Sequence, residues 1–444
     1  MTDLEGIANR ILDDGDNPKE RLVGEILTYK NIGKDRAGKI ADAIIEEVVN
    51  TRKVLTSDSN DLITRLLQTP KANATMHETG VGCRGEGDFH VHRLIARIAK
   101  SGALLDTMQQ DDAGAVKAGD KIIVSAVDGT HSRLSDFPFI AGFHVARAAL
   151  RDVCVKGAKP VALIDDLHLA DDGDVGKLFD FVGGVACVAE LTGVPLIAGS
   201  TLRVGGDMVI GERLVSGVGA IGVADKLLAR KDIREGDLII MTQGSGGGTI
   251  ATNAIYSGNH GVVEETLNID FIKACDALQD AGLTRKIHAM IDVTNGGLRG
   301  DANEICKSTG LGMEFEEQRL KTLVNPRVLE LLEKTKTDYL GVSLDSLMIF
   351  TDRKDAGLIL QALAKSGIKA AEVGAVTGRK PCLITQNHKI DLRPKYRESA
   401  YTPLKRAIGE ETPADAAEMA KRVEKAAKES EKKKEQVKKI VNGK

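Results

Sequence analysis

The sequence predicts a mixed α/β (α+β) chain, with two units of alternating strands and helices and a helical segment at each end. Three observations carry this. Short runs rich in Val, Ile and Leu alternate with stretches of helical apolar spacing from about residue 121 to 376. Before residue 68 the apolar spacing is helical throughout. After Thr412 the composition turns to Ala, Glu and Lys, which favours helix by propensity and by i,i+4 pairs.

Taken in order, residues 3–68 read as a helical cap or packing arm, with Ile40, Ile44, Ile45 and Val48 on one stripe. Residues 69–88 change character. Gly80, Gly82, Gly85 and Gly87 make this stretch loop-like and permit close backbone approach to a ligand. Residues 80–85 formally fit G-x-G-x-x-G but follow a polar loop rather than a strand, so a dinucleotide site is rejected; residues 217–222 fit it inside an apolar run and are rejected too. Cys83 beside Arg84 could be an activated thiol or an ordinary loop cysteine. A helix follows over 88–100, with Asp88 as its expected N-cap. His90 and His92 on it are two apart, hence on different faces, which argues against a shared metal.

The stretch from Asp111 to Pro160 is the centre of the chain. Asp111 and Asp112 precede a small-residue turn. Asp128 follows the strand-like K-I-I-V-S-A-V, and Asp152 lies late on the next helix. Carboxylates on separate elements suit Mg²⁺, which binds one or two of them together with substrate phosphates. The plainer alternative is that each acid caps a helix or faces water. Further strands are expected at 160–170, 194–198 and 237–242, a longer strand or hairpin at 207–223, and a helix at 175–192. The short strand at 194–198 reads as buried and closes on Gly199-Ser200-Thr201. The turn Gly244 to Thr249 lacks the Lys of a phosphate loop and reads as structural. In the second unit, strands are expected at 288–293, 312–316, 346–351 and 372–376, with helices at about 264–281, 297–308, 328–334 and 354–366. The tail has a thin apolar stripe (Val423, Ala427, Val437, Ile440, Val441), so it is expected to project into solvent; a docking helix for a protein partner is the alternative.

Composition excludes several classes. The chain has 444 residues and a net charge of -3, which gives no global pull toward nucleic acid or anionic membrane. No apolar run reaches the ~18 residues of a span, and the acidic N-terminus has no signal-peptide core, so a cytoplasmic location is expected. Six cysteines without a CxxC pair indicate neither a zinc site nor a disulfide framework. With no Trp and 3% aromatic residues, base-stacking platforms for single-stranded nucleic acid are disfavoured.

The order of motifs resembles the AIR synthase-like (PurM-like) superfamily of ATP-using enzymes, which includes thiamine-monophosphate kinase and the hydrogenase maturation factor HypE. The resemblance covers roughly 86–390. It rests on Gly87-Asp88-Phe89, on D-D-A-G-A-V from Asp111, and on Asp128-Gly129-Thr130. It also rests on Asp152 with G-A-K-P, against the pattern N-D-x-x-x-x-G-A-x-P, and on D-V-T-N-G-G-L from Asp292. The resemblance implies an N-terminal extension (1–80), a barrel-forming ATP-binding domain (81–225), a C-terminal α/β domain (226–405) and a charged helical tail (406–444). It implies a homodimer, and ATP held through Mg²⁺ by Asp111, Asp112, Asp128 and Asp152. Asp128 and Asp292 become the expected catalytic residues. Gly80, Gly82, Arg84, Gly85, Gly87, Gly129, Thr130, Ser200 and Thr201 become the expected nucleotide contacts. The implied activity is an ATP-dependent kinase, ligase or cyclase step on an oxygen of a small metabolite. The alternative is a HypE-like maturation or assembly factor that binds nucleotide and a protein partner with little turnover. Ser200 stands where relatives carry an acid, and Asn295 where the kinase carries its second one. Val441-Asn442-Gly443-Lys444 lacks the cysteine of HypE, which argues against that activity proper.

Overall fold

The computed structural model describes every residue except Met1, Asp16, Asn295, Asn387, Glu398 and Lys444. At the N-terminus, β1 (Thr2–Asp3) leads into α1 (Leu4–Asp14), α2 (Pro18–Tyr29) and α3 (Lys34–Leu55), then α4 (Leu62–Leu67) and the short turn α5 (Met76–Thr79). The Asp3 carboxylate accepts the Gly6 N–H at 3.1 Å and caps α1. Leu4, Ala8 and Ile11 pack on Ala37, Ala41, Ile44 and Val48, so the three helices have a core of their own. The expected stripe is half right, since Ile40 and Ile45 flank that core.

The first domain comprises α6 (Glu86–Ala99), β2 (Gly114–Ala118), β3 (Lys121–Gly129), α7 (Pro138–Cys154), β4 (Lys159–Leu169), α8 (Gly176–Thr192), β5 (Leu196–Arg203), β6 (Val209–Ile210) and β7 (Leu214–Ala224). Its five-stranded sheet has the order β2-β3-β7-β4-β5; only the β4–β5 pair is parallel. α7 is buried along almost its whole length between this sheet, α8 and the second domain. β6 instead pairs with β1, and Lys30 bridges Asp172 (2.9 Å) and Asp171, so the extension is docked on the first domain.

Two expectations fail here. Asp88 does not cap its helix, because α6 starts earlier, at Glu86 with Gly85 at the cap. The strand at 194–198 is neither short nor buried. It runs on through Gly199, Ser200 and Thr201 as β5, an open edge with Ile197 and Leu202 exposed.

The second domain comprises β8 (Leu238–Thr242), α9 (Gly248–Tyr256), α10 (Asp270–Asp280), β9 (Ile287–Val293), α11 (Gly297–Thr309), β10 (Gly312–Glu316), α12 (Glu317–Thr322), α13 (Pro326–Lys334), β11 (Ser346–Thr351), α14 (Arg353–Lys365), β12 (Ala370–Thr377), β13 (Cys382–Ile384), β14 (Lys389–Asp391) and α15 (Pro403–Ile408). Its seven-stranded sheet has the order β14-β13-β10-β12-β8-β11-β9. β8, β9 and β11 are mainly apolar and almost wholly buried, which is why they read as hydrophobic runs.

The tail is α16 (Ala416–Val441), and its first half is not in solvent. Met419 is buried and Val423 lines a cavity of about 330 Å³ between α16 and α6. Arg97 of α6 pairs with Glu431 at 2.7 Å, and Lys434 donates to the Ile98 carbonyl at 2.8 Å. The expectation of a projecting helix holds only for the last turns, where Ile440 and Val441 stay exposed. A thin stripe suffices because long Lys and Glu side chains complete the contact. Deleting 409–444 is therefore expected to lower the melting temperature, since burying one side chain such as Met419 contributes about 1.5–3 kcal/mol. An unchanged melting curve would count against this packing. Among the described residues, no helix is long and apolar enough to cross a membrane.

Candidate active site

A cleft of about 470 Å³ opens between the two domains. Asp111, Asp112, Asp128, Asp152 and Asp292 all line it. Chain geometry explains the convergence. Asp111 and Asp112 occupy the turn before β2, Asp128 is next to last on β3, Asp152 lies in the last turn of α7, and Asp292 is next to last on β9. Strand ends and a helix end thus meet at one rim, where side chains from distant segments can be combined.

Basic residues that the sequence reading passed over are interleaved with these acids. Arg147 and Arg151, four apart on α7, fall on one face of the helix. Arg151 pairs with Asp292 at 2.5 Å and with Asp345 at 2.5 Å, and its Nε lies 3.8 Å from Asp152. Arg147 takes the other Asp345 oxygen at 2.8 Å. Asp345 sits at φ 58, a left-handed conformation uncommon for a non-glycine residue, and this two-arginine grip holds it there. Lys156 bridges Asp111 and Asp112 (3.0 Å to the latter), and Arg230 bridges the same pair from the linker between domains. Arg84 faces Asp301 and Glu304 at 3.4 and 3.5 Å.

Ionisation follows these partnerships. Burial alone would raise the Asp112 carboxyl, but Arg230 and Lys156 bring it down to about 2. Asp128 and Asp152 go the other way. Burial lifts both above the usual carboxylate range, and the neighbouring Asp292 charge lifts them further against Arg151. Asp301 is pushed up to about 8, first by burial. His131 is lowered to about 4 by burial and by Lys405 and Arg133; its Nε2 lies 2.7 Å from the Tyr401 hydroxyl. Among the described residues, Asp128 has no ion-pair partner within 4.0 Å. A pair of crowded, under-compensated carboxylates beside Asp292 fits a divalent cation by charge and donor type.

The expected nucleotide contacts divide. Gly82, Arg84 and Gly129 line the cleft. The buried Asp88 carboxylate accepts the Gly82 and Arg84 N–H groups at 3.0 and 2.8 Å, which fixes the loop that carries Arg84. Gly80, Gly85, Gly87, Thr130, Ser200 and Thr201 do not line it. Gly80 ends α5 in the left-handed conformation. A Cβ on Gly85 would lie 2.3 Å from the Tyr396 carbonyl, and one on Gly87 2.0 Å from that of Thr79, so these glycines serve packing. Thr130 bonds to Ser216 of β7, its N–H donating to the carbonyl at 2.9 Å. Ser200 and Thr201 pair with Asp166 and Leu167 on the open edge of the sheet, away from the cleft of the same chain. Asn295 lies outside the described residues.

The turn read as structural does reach the cleft. Gly247, Gly248 and Thr249 line it, and α9 begins there with no side-chain cap. Backbone N–H groups at a helix N-terminus favour an anion. The missing Lys led the sequence reading away from this turn; Arg147, whose Nη2 lies 3.2 Å from where a Gly247 Cβ would stand, supplies cationic charge from another element.

With this geometry in view, the comparisons fall into place. The model of the AIR synthase related protein N-terminal domain matches residues 110–224, and that of its C-terminal domain matches 234–383. The chain is 53% identical to the uncharacterized protein MJ1416 of Methanocaldococcus jannaschii, over 98% of this chain and 97% of that one. Among solved structures, the HypE–HypF complex aligns with a TM-score of 0.57 at 20% identity, covering 68% of this chain and 99% of that one. AaThiL complexed with AMPPCP and TMP aligns with a TM-score of 0.52 at 17% identity, covering 70% and 96%. On its two matched domains and its two-sheet architecture, the chain belongs to the AIR synthase-related (PurM-like) superfamily, which has ATP-using members.

Proposed function

We propose that the protein is an ATP- and Mg²⁺-dependent enzyme that phosphorylates or otherwise activates an oxygen of a small metabolite. The observation that carries this reading is the inter-domain cleft, where carboxylates from both domains face four arginines and the N-terminus of α9. Asp128 and Asp152 would hold the cation, with Asp292 orienting them through Arg151 or meeting the acceptor. Arg84 and the N–H groups at Gly247–Thr249 would take phosphate oxygens. Bound Mg²⁺–ATP would supply the electrophilic phosphoryl group; positioning and charge neutralisation would fall to the residues just named. The likeness to AaThiL with AMPPCP supports this choice of ligand. Purified protein should hydrolyse ATP when offered metabolite pools, and activity should track one acceptor. Nucleotide binding without turnover in any pool would favour the assembly-factor alternative, in keeping with the HypE–HypF neighbour.

A pH signature follows from the same acids. Because the carboxyls of Asp128, Asp152 and Asp301 titrate above the unfolded value, the folded chain binds more protons between about pH 4 and 8, and stability falls as pH rises through that window. Asp112, lowered to about 2, opposes this only below about pH 4. Mg²⁺ would replace the protons on Asp128 and Asp152. Thermal shift by Mg²⁺ should therefore be larger at about pH 8 than at about pH 5.5. An equal shift at both values would remove these acids from the metal site.

The first domain is also proposed to dimerise. Val116, Val127, Val161 and Val215 are exposed on its sheet, Val127 at 77%, next to the apolar open edge of β5. Light scattering at micromolar concentration should give a dimer, and Val127→Glu should shift it toward monomer. A monomeric unmodified chain would sink the proposal.

A further inference from the structure

We infer that Lys156 is a built-in cation standing in place of a metal ion at the Asp111–Asp112 pair. The nucleotide cleft would then take its divalent cation at Asp128 and Asp152 only. The inference rests on the proposed Mg²⁺–nucleotide reading and narrows it.

Adjacent carboxylates at a turn, facing a phosphate cleft, resemble a cation site by sequence alone. In three dimensions that place is filled. The Lys156 side chain is fully buried and its ammonium contacts both carboxylates. Arg230, 3% exposed, contacts both from the other side. Two positive charges therefore meet these two carboxylates before any ion arrives, with Glu304 sharing Arg230 at 3.4 Å and Arg84 at 3.5 Å. Further hydrogen bonds hold the cluster in place. Asp111 accepts the backbone N–H of Arg230 at 3.0 Å, Arg230 donates to the Gln110 carbonyl at 2.8 Å, and Lys156 reaches the Met290 carbonyl of β9 at 3.4 Å. A Mg²⁺ ion here would have to displace a buried ammonium that has no other acid to pair with among the described residues.

A few residues away the balance is different. Among the described residues, Asp128 has no ion pair, and Asp152 has only the Arg151 Nε at 3.8 Å, a guanidinium already engaged by Asp292 and Asp345. The cleft is thus divided into a half neutralised by protein cations and a half left for an exchangeable one. Lys156 stands at an open position of the N-D-x-x-x-x-G-A-x-P pattern, four residues after Asp152, so no motif marks it. Its place after the end of α7 puts the ammonium under the turn at 111–112 and against β9 of the second domain.

The test counts cations with Mn²⁺ as the probe, by electron paramagnetic resonance, on the full chain at saturating ATP. The unmodified protein should hold the same number of Mn²⁺ ions as Asp112→Asn, and Asp152→Asn should hold fewer. Lys156→Met should gain a further Mn²⁺, and Mn²⁺ should raise its melting temperature more than that of the unmodified chain. Should Lys156→Met fail to fold, the comparison with Asp112→Asn decides alone. Loss of a bound Mn²⁺ in Asp112→Asn would overturn the inference while leaving the nucleotide reading in place. No Mn²⁺ or ATP binding by the unmodified chain would instead overturn both.

Discussion

Asp128→Asn is expected to lower Mg²⁺–ATP affinity by at least roughly tenfold, the low end of what residues that merely support a metal ligand contribute. The substitution keeps the shape of the side chain and removes its charge. Asp128 lies in β3 at the cleft wall, where burial and Asp292 already disfavour its ionised form. Without a cation the amide should therefore cost nothing, and the melting temperature of the unliganded protein should hold or rise. Affinity for ATP in EDTA should change little. If Asp128 served only the packing of its strand end, the outcome would be reversed, with a less stable apo protein and untouched Mg²⁺–ATP binding. Titrating nucleotide with and without Mg²⁺ on both proteins separates the cases.

Arg151→Met should have the largest effect on stability, a loss on the order of 3–5 kcal/mol, because it leaves Asp292 buried without its cation and Asp345 with Arg147 alone. Methionine nearly preserves the packed volume, so the loss would report charge rather than a cavity. Arg151 also joins α7 of the first domain to β9 and to the residue before β11 of the second, so the two domains should loosen together. Urea unfolding would measure the loss. A loss below about 1 kcal/mol would mean that Arg151 does not stabilise the fold through these ion pairs.

Much of this protein was legible without coordinates. Strand and helix positions in both domains follow from local periodicity, because β8, β9 and β11 are mainly apolar runs and α10 and α14 are amphipathic. The acids Asp111, Asp112, Asp128, Asp152 and Asp292 could be picked out because each stands at a turn or element end within a quoted motif, and all five line the cleft. The family itself was readable from the order of those motifs.

Other features depended on distance in space. Arg147, Arg151, Lys156 and Arg230 look like ordinary solvated charges in the sequence; they are buried because acids as distant in the chain as Asp345 meet them. Gly85 and Gly87 read as ligand-binding flexibility, but the Tyr396 and Thr79 carbonyls leave no room there for a side chain. β5 reads as buried by hydropathy, and only its place at the end of the strand order shows that it is an edge. The tail looked solvated because its stripe is thin, yet Met419 finds α6 and the salt links complete the contact. Sequence by itself determined which elements form and which acids could act, because those depend on neighbours along the chain. Tertiary structure decided which charges pair with protein cations and which are left for a bound one, because the Coulomb energy of a buried group is set by what surrounds it in space.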